Sequence, residues 1–258
     1  MLSVLIVNHN GGDVLLDSLK RLHALGDEGV EREVLLIDNA STDDSLDRVR
    51  RDFPTVHVID AGANLGFGAA NNLGAREAIG DHLLLLNSDA WPTPGAIPTL
   101  VDTLEADPLR ALVAPRLSYP DGRPQFHWAP TTSVLGEALQ MVRNRFERHD
   151  WIHRLKLGVG WYTGACLLLR RDAFESIGGF DEDYFLYFED VDLCMRLRQA
   201  GWRLADAPSA TVVHVKGGSQ PSGTVMRWYR DGQRRYYRRH RPTWEQLVLR
   251  LKVGTPDA

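Results

Sequence analysis

Cysteine is scarce in this chain: Cys166 and Cys194 are the only two among 258 residues. That is too few for a disulfide framework, and no partner stands at metal-ligand spacing from either, so a reducing compartment is expected. Long apolar runs are missing as well. None approaches the ~18 residues that a membrane-spanning helix needs, and Met1–Val7 has no basic residue ahead of its short apolar run, unlike a secretory signal. Excess charge of one sign is lacking too. The 34 acidic and 30 basic residues leave a net charge of −4, which excludes nucleic acid or membrane as a partner held by overall charge. No internal repeat or low-complexity linker is present. These absences predict a cytoplasmic protein, with attachment to a membrane surface left open.

What remains is the profile of an ordinary globular protein, 43% hydrophobic and 25% charged. Short apolar runs bounded by Gly, Asn and Asp alternate with segments of helical period, which predicts βαβ units and a mostly parallel central sheet flanked by helices. Leu2–Val7, Val34–Ile37, Val56–Ile59 and His82–Leu86 read as four strands. Val14, Leu15, Leu16, Leu19 and Leu22 recur at helical spacing; Ser41-Thr42-Asp43-Asp44 is a helix start, and a further helix follows Asn64–Gly68 as far as Ala78. The second half is less regular. After a Pro-rich stretch from Pro115 to Pro130 come a helix over Ser133–Phe146, a strand over Tyr162–Leu169 and a helix from Glu189 that closes at Gly201.

Polar clusters follow three of the strands. In open α/β sheets ligands bind beyond the carboxyl ends of the strands, so these clusters are expected to share one crevice. Asp38-Asn39-Ala40-Ser41 offers a carboxylate to a base or ribose, although Asp and Asn are also ordinary turn residues. Asn64-Leu65-Gly66-Phe67-Gly68-Ala69-Ala70-Asn71 is no dinucleotide fingerprint, because Asn71 stands where the third Gly belongs. No G-x-x-x-x-G-K-[ST] occurs either, which leaves a P-loop ATPase unsupported. Asn87-Ser88-Asp89 places a carboxamide and a carboxylate at the exit of a buried strand, a donor set suited to Mg²⁺ or Mn²⁺ shared with a diphosphate, or to a plain turn. Glu189, Asp190 and Asp192 follow the aromatic run Tyr184–Phe188. Mutual repulsion and partial desolvation there make a general base of one of them, beyond the helix-start preference for acids.

In order and spacing these segments resemble the family 2 inverting glycosyltransferases of GT-A fold, particularly bacterial rhamnosyltransferases of cell-wall and surface-polysaccharide assembly. The matching residues are Val4–Asn8, Asp38–Asp43, Asn64–Phe67, Asn87–Asp89, Phe188–Asp192 and His214. The resemblance implies a GT-A domain over 1–223, its nucleotide-sugar half at 1–116 and its acceptor and catalytic half at 117–223, with a helical basic extension over 224–258. Val7, Asn8, Asn10, Asp38, Asn64, Gly66, Phe67, Asn71, Asn87, Ser88 and Asp89 would hold the nucleoside-diphosphate sugar. Asp89 and His214 would hold the cation, Asn87 standing where the D-x-D element has its first, more strongly binding carboxylate. Asp190 would be the catalytic base with Glu189 beside it, and Asp192, Trp161, Tyr162 and Gly164 would face the acceptor. The implied donor is dTDP-rhamnose, with a UDP-sugar such as UDP-galactofuranose as alternative, and the acceptor a glycan or a polyprenyl-diphosphate-linked sugar. A sugar-phosphate nucleotidyltransferase lacks support, since no Gly-rich, Arg-containing loop follows the first strand. A non-catalytic nucleotide-sugar or RNA-binding module would bind without turnover.

From Met226 to Arg241 seven arginines stand against Asp231, a net charge of +6 that leaves −10 for the rest of the chain. Trp228, Tyr229, Tyr236 and Tyr237 interleave with them. The mixture suits peripheral contact with an anionic membrane or a lipid diphosphate, or else a helix capping the domain with its aromatics turned inward. No nucleic acid is expected, since no RNA-binding motif accompanies the basic stretch.

Overall fold

The computed structural model describes residues 1–146, 149, 152–153, 158–215 and 222–253. Strands and helices alternate through the first half: β1 (Leu2–Asn8), α1 (Gly12–Ala24), β2 (Arg32–Asp38), α2 (Ser45–Asp52), β3 (His57–Asp60), α3 (Phe67–Glu77) and β4 (His82–Asn87). Then follow β5 (Ala90–Pro92), α4 (Ala96–Glu105), β6 (Arg110–Ser118), β7 (Pro124–Gln125), β8 (Trp128–Pro130), α5 (Val134–Asn144), β9 (Val159–Tyr162) and β10 (Cys166–Arg170). The chain continues through α6 (Arg171–Ser176), α7 (Glu189–Gln199), β11 (Arg203–His214), α8 (Ser222–His240) and α9 (Thr243–Val253).

The main sheet has the order β3-β2-β1-β4-β10-β6-β11-β5, with β7 paired to β6, and β8 and β9 form a separate small ribbon. The first four strands are parallel. The second half mixes the two directions: β10 runs antiparallel to both β4 and β6, and β11 parallel to β6. Leucines 83–86 explain why the middle of the sheet reads as an unbroken apolar run: Leu84 and Leu86 join the core on one face, Leu83 and Leu85 the core on the other. All four are at most 1% exposed, so truncating any one to Ala costs about 2–5 kcal/mol.

One expected strand is two. The run from Tyr162 to Leu169 breaks at Thr163-Gly164-Ala165, because Tyr162 pairs with Trp128 in the ribbon while Cys166 pairs with Leu86 in the main sheet. The break sits at the same end of the sheet as the polar clusters. The basic extension is likewise no loose tail. Tyr236 and Tyr237 of α8, each 1% exposed, form a third core with Tyr184, Phe188 and Val191, and α9 packs on α8. No helix among the described residues is long and apolar enough to cross a membrane.

Candidate active site

Because β1, β2 and β4 are parallel, their carboxyl ends coincide: Asn8 is in register with Asp38, and Val7 with Asn87. The 163–165 break is tied to this end, since the Asn87 backbone N–H donates to the Ala165 carbonyl at 3.0 Å. β11 arrives there through β5, His214 lying opposite Ala90. The Val215 N–H donates to the Asp89 carbonyl at 3.0 Å. These elements enclose a cleft of about 580 Å³. Val7, Asn87, Ser88, Asp89 and His214 form its base, His9, Asn39, Asn64, Gly66 and Phe67 one wall, and Gly164, Phe185, Tyr187, Glu189, Asp190 and Trp228 the other. A second cavity of about 630 Å³ lies between α1 and β2 at the opposite end of the strands, away from all these groups.

The first wall is held by carboxamides. The Asn39 side chain donates to Asn64 Oδ1 at 2.9 Å and to the Gly66 carbonyl at 3.2 Å, and accepts from the Leu65 N–H at 2.8 Å. The two walls then meet backbone to backbone, the Phe67 N–H donating to the Phe185 carbonyl at 3.0 Å. Only glycine fits at 66. Its φ is +82°, and a Cβ there would stand 2.1 Å from the Phe185 carbonyl oxygen.

Tyr187 and Phe188 lead into α7 with φ of 69° and 71°, a left-handed pair that bulky residues rarely adopt and that packing must hold. Here α8 supplies it. The Phe188 ring lies 5.1 Å from Tyr229 and 5.9 Å from Tyr236, while Gly232 lets the helix approach so closely that a Cβ would sit 2.6 Å from the Tyr187 carbonyl. The turn delivers Glu189 and Asp190 to the cleft at the start of the helix. Asp190 accepts from the Gly164 N–H at 2.9 Å and from the Val191 N–H at 2.8 Å. Burial pushes its carboxyl up to about 6, against the lowering effect of those N–H groups. Glu189 is 6% exposed and its Oε2 has no hydrogen-bond partner. Burial, and then the neighbouring Asp190 charge, raise its carboxyl well above the usual range. Of the two adjacent acids, it is Glu189 on which burial and the neighbouring charge act together to favour the protonated form, while the N–H groups favour the ionised form of Asp190.

Across the cleft His214 Nε2 lies 3.3 Å from Asp89 Oδ1 and 3.4 Å from Asn87 Nδ2. His214 Nδ1 is 3.0 Å from Gln125 Oε1. With that oxygen as acceptor, Nδ1 is the donor, and Nε2 is the ring nitrogen turned to the Asp89 carboxylate. An imidazole nitrogen and a carboxylate oxygen converging in this way fit a divalent cation between them. No group of three or more His, Cys, Asp or Glu able to hold a metal occurs among the described residues, so this pair would offer a cation one carboxylate and one imidazole nitrogen.

Several expected site residues do not line the cleft. Asn8 and Asp38 point to the other face of their strands: Asn8 is fully buried and donates to Asp38 at 3.3 Å, Ser41 at 3.0 Å and Ser45 at 3.1 Å. Asn10 accepts from the Thr42 N–H at 2.7 Å and so ties two loops together. Asn71, 1% exposed, donates back to the Phe67 carbonyl inside α3. Of the four residues expected to face the acceptor only Gly164 reaches the cleft. Tyr162 is 2% exposed, Trp161 packs into the cores, and Asp192 is wholly buried between Arg196 (2.5 Å) and His240 (2.7 Å). Conversely, His9, Asn39, Phe185, Tyr187 and Trp228 line the cleft without having been singled out for it. Strand alternation points to His9 and Asn39, each one position beyond the residue chosen. Nothing local marks Trp228.

Residues 3–178 match the family model of glycosyl transferase family 2. The chain is 36% identical over 239 residues to the N-acetylglucosaminyl-diphospho-decaprenol L-rhamnosyltransferase of Mycobacterium tuberculosis, covering 85% of this chain and 77% of that one. It is 27% identical to the rhamnosyltransferase WbbL of Escherichia coli, covering 93% and 94%. Among solved structures it superposes on a Pyrobaculum calidifontis mannosyltransferase in complex with GDP-Man and Mn²⁺ (TM-score 0.61, 18% identity, 98% of this chain and 65% of that one). It also superposes on GalNAc-T7 with UDP, GalNAc and Mn²⁺ (TM-score 0.65, 17% identity, 98% and 54%). It thus spans roughly two thirds and half of those two chains. The order of strands around the cleft, the extent of the family match and the similarity to these enzymes lead to one conclusion: the chain belongs to glycosyl transferase family 2 and has the GT-A fold.

Proposed function

We propose that this enzyme transfers rhamnose from dTDP-rhamnose, with inversion, to a polyprenyl-diphosphate-linked sugar in cell-wall or polysaccharide assembly. The observation that carries the reaction class is Asp190, a single carboxylate poised near neutrality and facing the Asp89–His214 pair across one cleft. Asp190 takes the proton of an acceptor hydroxyl as that oxygen attacks the anomeric carbon; the bond to the nucleoside diphosphate breaks on the opposite side, and its electron pair leaves with the diphosphate. A single displacement inverts the centre and needs no covalent sugar intermediate. Asp89 and His214 would hold Mg²⁺ or Mn²⁺, which when bound supplies charge neutralisation for the diphosphate. His9, Asn39 and Asn64 would line the nucleoside end, and Phe185, Tyr187 and Trp228 would offer apolar faces to the acceptor sugar. The rhamnosyl group follows the two relatives' names, the lipid-linked acceptor that of the mycobacterial one, and dTDP as its carrier the family resemblance; a lipid-linked acceptor calls for contact with an anionic membrane. The expected setting is the cytoplasmic face.

A donor screen tests the reading. With Mn²⁺ present, dTDP-rhamnose at 100 times its Kd should stabilise the fold by roughly 2.7 kcal/mol, and UDP- or GDP-sugars at that concentration by clearly less. A larger shift and turnover with a UDP-sugar would reassign the donor. For the cation, Asp89→Ala should weaken Mn²⁺-dependent nucleotide binding by about tenfold or more, and His214→Ala by less. Equal nucleotide affinity of the unaltered protein in Mn²⁺ and in excess chelator would remove the metal.

A further inference from the structure

We infer that the outward face shared by α5 and α9 is a docking surface for an anionic lipid bilayer. The inference deepens the reading of a lipid-linked acceptor and rests on it for the choice of partner. Leu135, Leu139 and Val142 recur at i, i+4 and i+7 along α5 and are 70%, 42% and 60% exposed. Trp244, Leu247 and Leu251 recur at i, i+3 and i+7 along α9 and are 60%, 53% and 88% exposed. Each set makes one stripe of its helix, and a helix of a water-soluble domain normally turns such a stripe inward.

Here the polar side is the one turned inward. Glu245 of α9, 3% exposed, accepts from the Val134 N–H at 3.0 Å and pairs with Arg241. Glu137 of α5 accepts from Gln233 at 2.6 Å and Tyr237 at 3.0 Å of α8. The acids thus bind the three helices to one another, and large apolar side chains are left outside, where contiguous patches mark interaction surfaces.

The surrounding charge selects the partner. Among the described residues of α5 with its cap and of α9, the exposed charged side chains are Arg145 and Arg250, and no exposed acid stands beside them. Neither of these two arginines makes an ion pair among the described residues. Apolar side chains rimmed by arginine fit the interfacial zone of an anionic bilayer. Two copies meeting face to face would bring like charges together. The face differs from the arginine-and-aromatic surface expected from the sequence, since Tyr236 and Tyr237 are in the core and Arg235 and Arg239 pair with Asp183 and Asp181. It is continuous with the cleft through α8, which carries Trp228.

The test is flotation with vesicles of equal parts phosphatidylcholine and phosphatidylglycerol. The unaltered protein should float with them. The combined variant L135S/V142S/L247S/L251S should partition about tenfold more weakly or worse, with its melting temperature and its transfer to a water-soluble acceptor unchanged. Undiminished flotation of the variant, or none of the unaltered protein, overturns the inference. So does a solution dimer that the same substitutions dissolve. Should the combined variant fold poorly, Leu251→Cys can carry an environment-sensitive fluorophore alone, because Cys166 and Cys194 are buried. Its emission should shift to the blue on vesicles, and an unshifted spectrum overturns the proposal. Intact flotation with no turnover on any donor would remove the proposed reaction and leave the surface standing.

Discussion

Asp190→Asn should lower the rate of sugar transfer by roughly 10²–10⁴-fold, the usual range for losing a general base, while folding and nucleotide binding persist. The carboxamide keeps the size of the side chain and an oxygen for one of the two N–H groups, which bond Oδ2 (Gly164) and Oδ1 (Val191) in the carboxylate, but it cannot take a proton. The pH dependence follows the same logic. Burial holds the Asp190 carboxyl at about 6, so it is ionised above that pH and protonated below it. At constant donor saturation, kcat/KM should fall about tenfold per pH unit below that point, and the variant should lose this limb. Transfer by Asp190→Asn within threefold of the unaltered enzyme would take Asp190 out of the chemistry.

Asp192→Ala should destabilise the fold strongly and leave the affinity for acceptor unchanged. Asp192 has no exposed surface and lies between the Arg196 guanidinium and the His240 ring, linking α7 to α8. Burial alone would raise its carboxyl; the His240 hydrogen bond and the Arg196 charge outweigh that and hold it below the usual range. Removing it strands the buried Arg196 and His240 without their carboxylate, which costs about 3–5 kcal/mol. In a chain of this size each kcal/mol lowers the melting temperature by about 2–4 °C, so the drop should be on the order of 10 °C. Because the folded-state pKa is depressed, the stabilisation is present above the unfolded value and is lost as pH falls through the folded one. The penalty of the variant should therefore shrink in strong acid. A raised KM for acceptor with an unchanged melting temperature would restore Asp192 to the acceptor site.

These two acids stand two residues apart in one motif, and their different fates mark the reach of sequence reasoning here. The acidic triplet after an aromatic run was enough to point to a base. Its division of labour depended on helix geometry: Asp190 meets the 163–165 break, whereas Asp192 turns back toward α8. The same holds on the first wall. Cluster composition pointed to the exits of β1 and β2, but alternation along a strand sends neighbouring side chains to opposite faces, so His9 and Asn39 line the cleft while Asn8 and Asp38 lock the loops beneath it.

What the sequence determined by itself is local or periodic: the apolar runs that can only be buried strands, the helix starts, and the order of motifs that marks the family. What tertiary structure alone decided is every contact between distant segments. It joined Asp89 to His214, 125 residues later, through the pairing of β5 with β11. It also reversed β10, brought Trp228 to the cleft, and turned the acids of α5 and α9 inward so that their leucines face out. Periodicity records which side of an element is apolar, but not which neighbour, if any, covers that side; that is settled only when the whole chain packs.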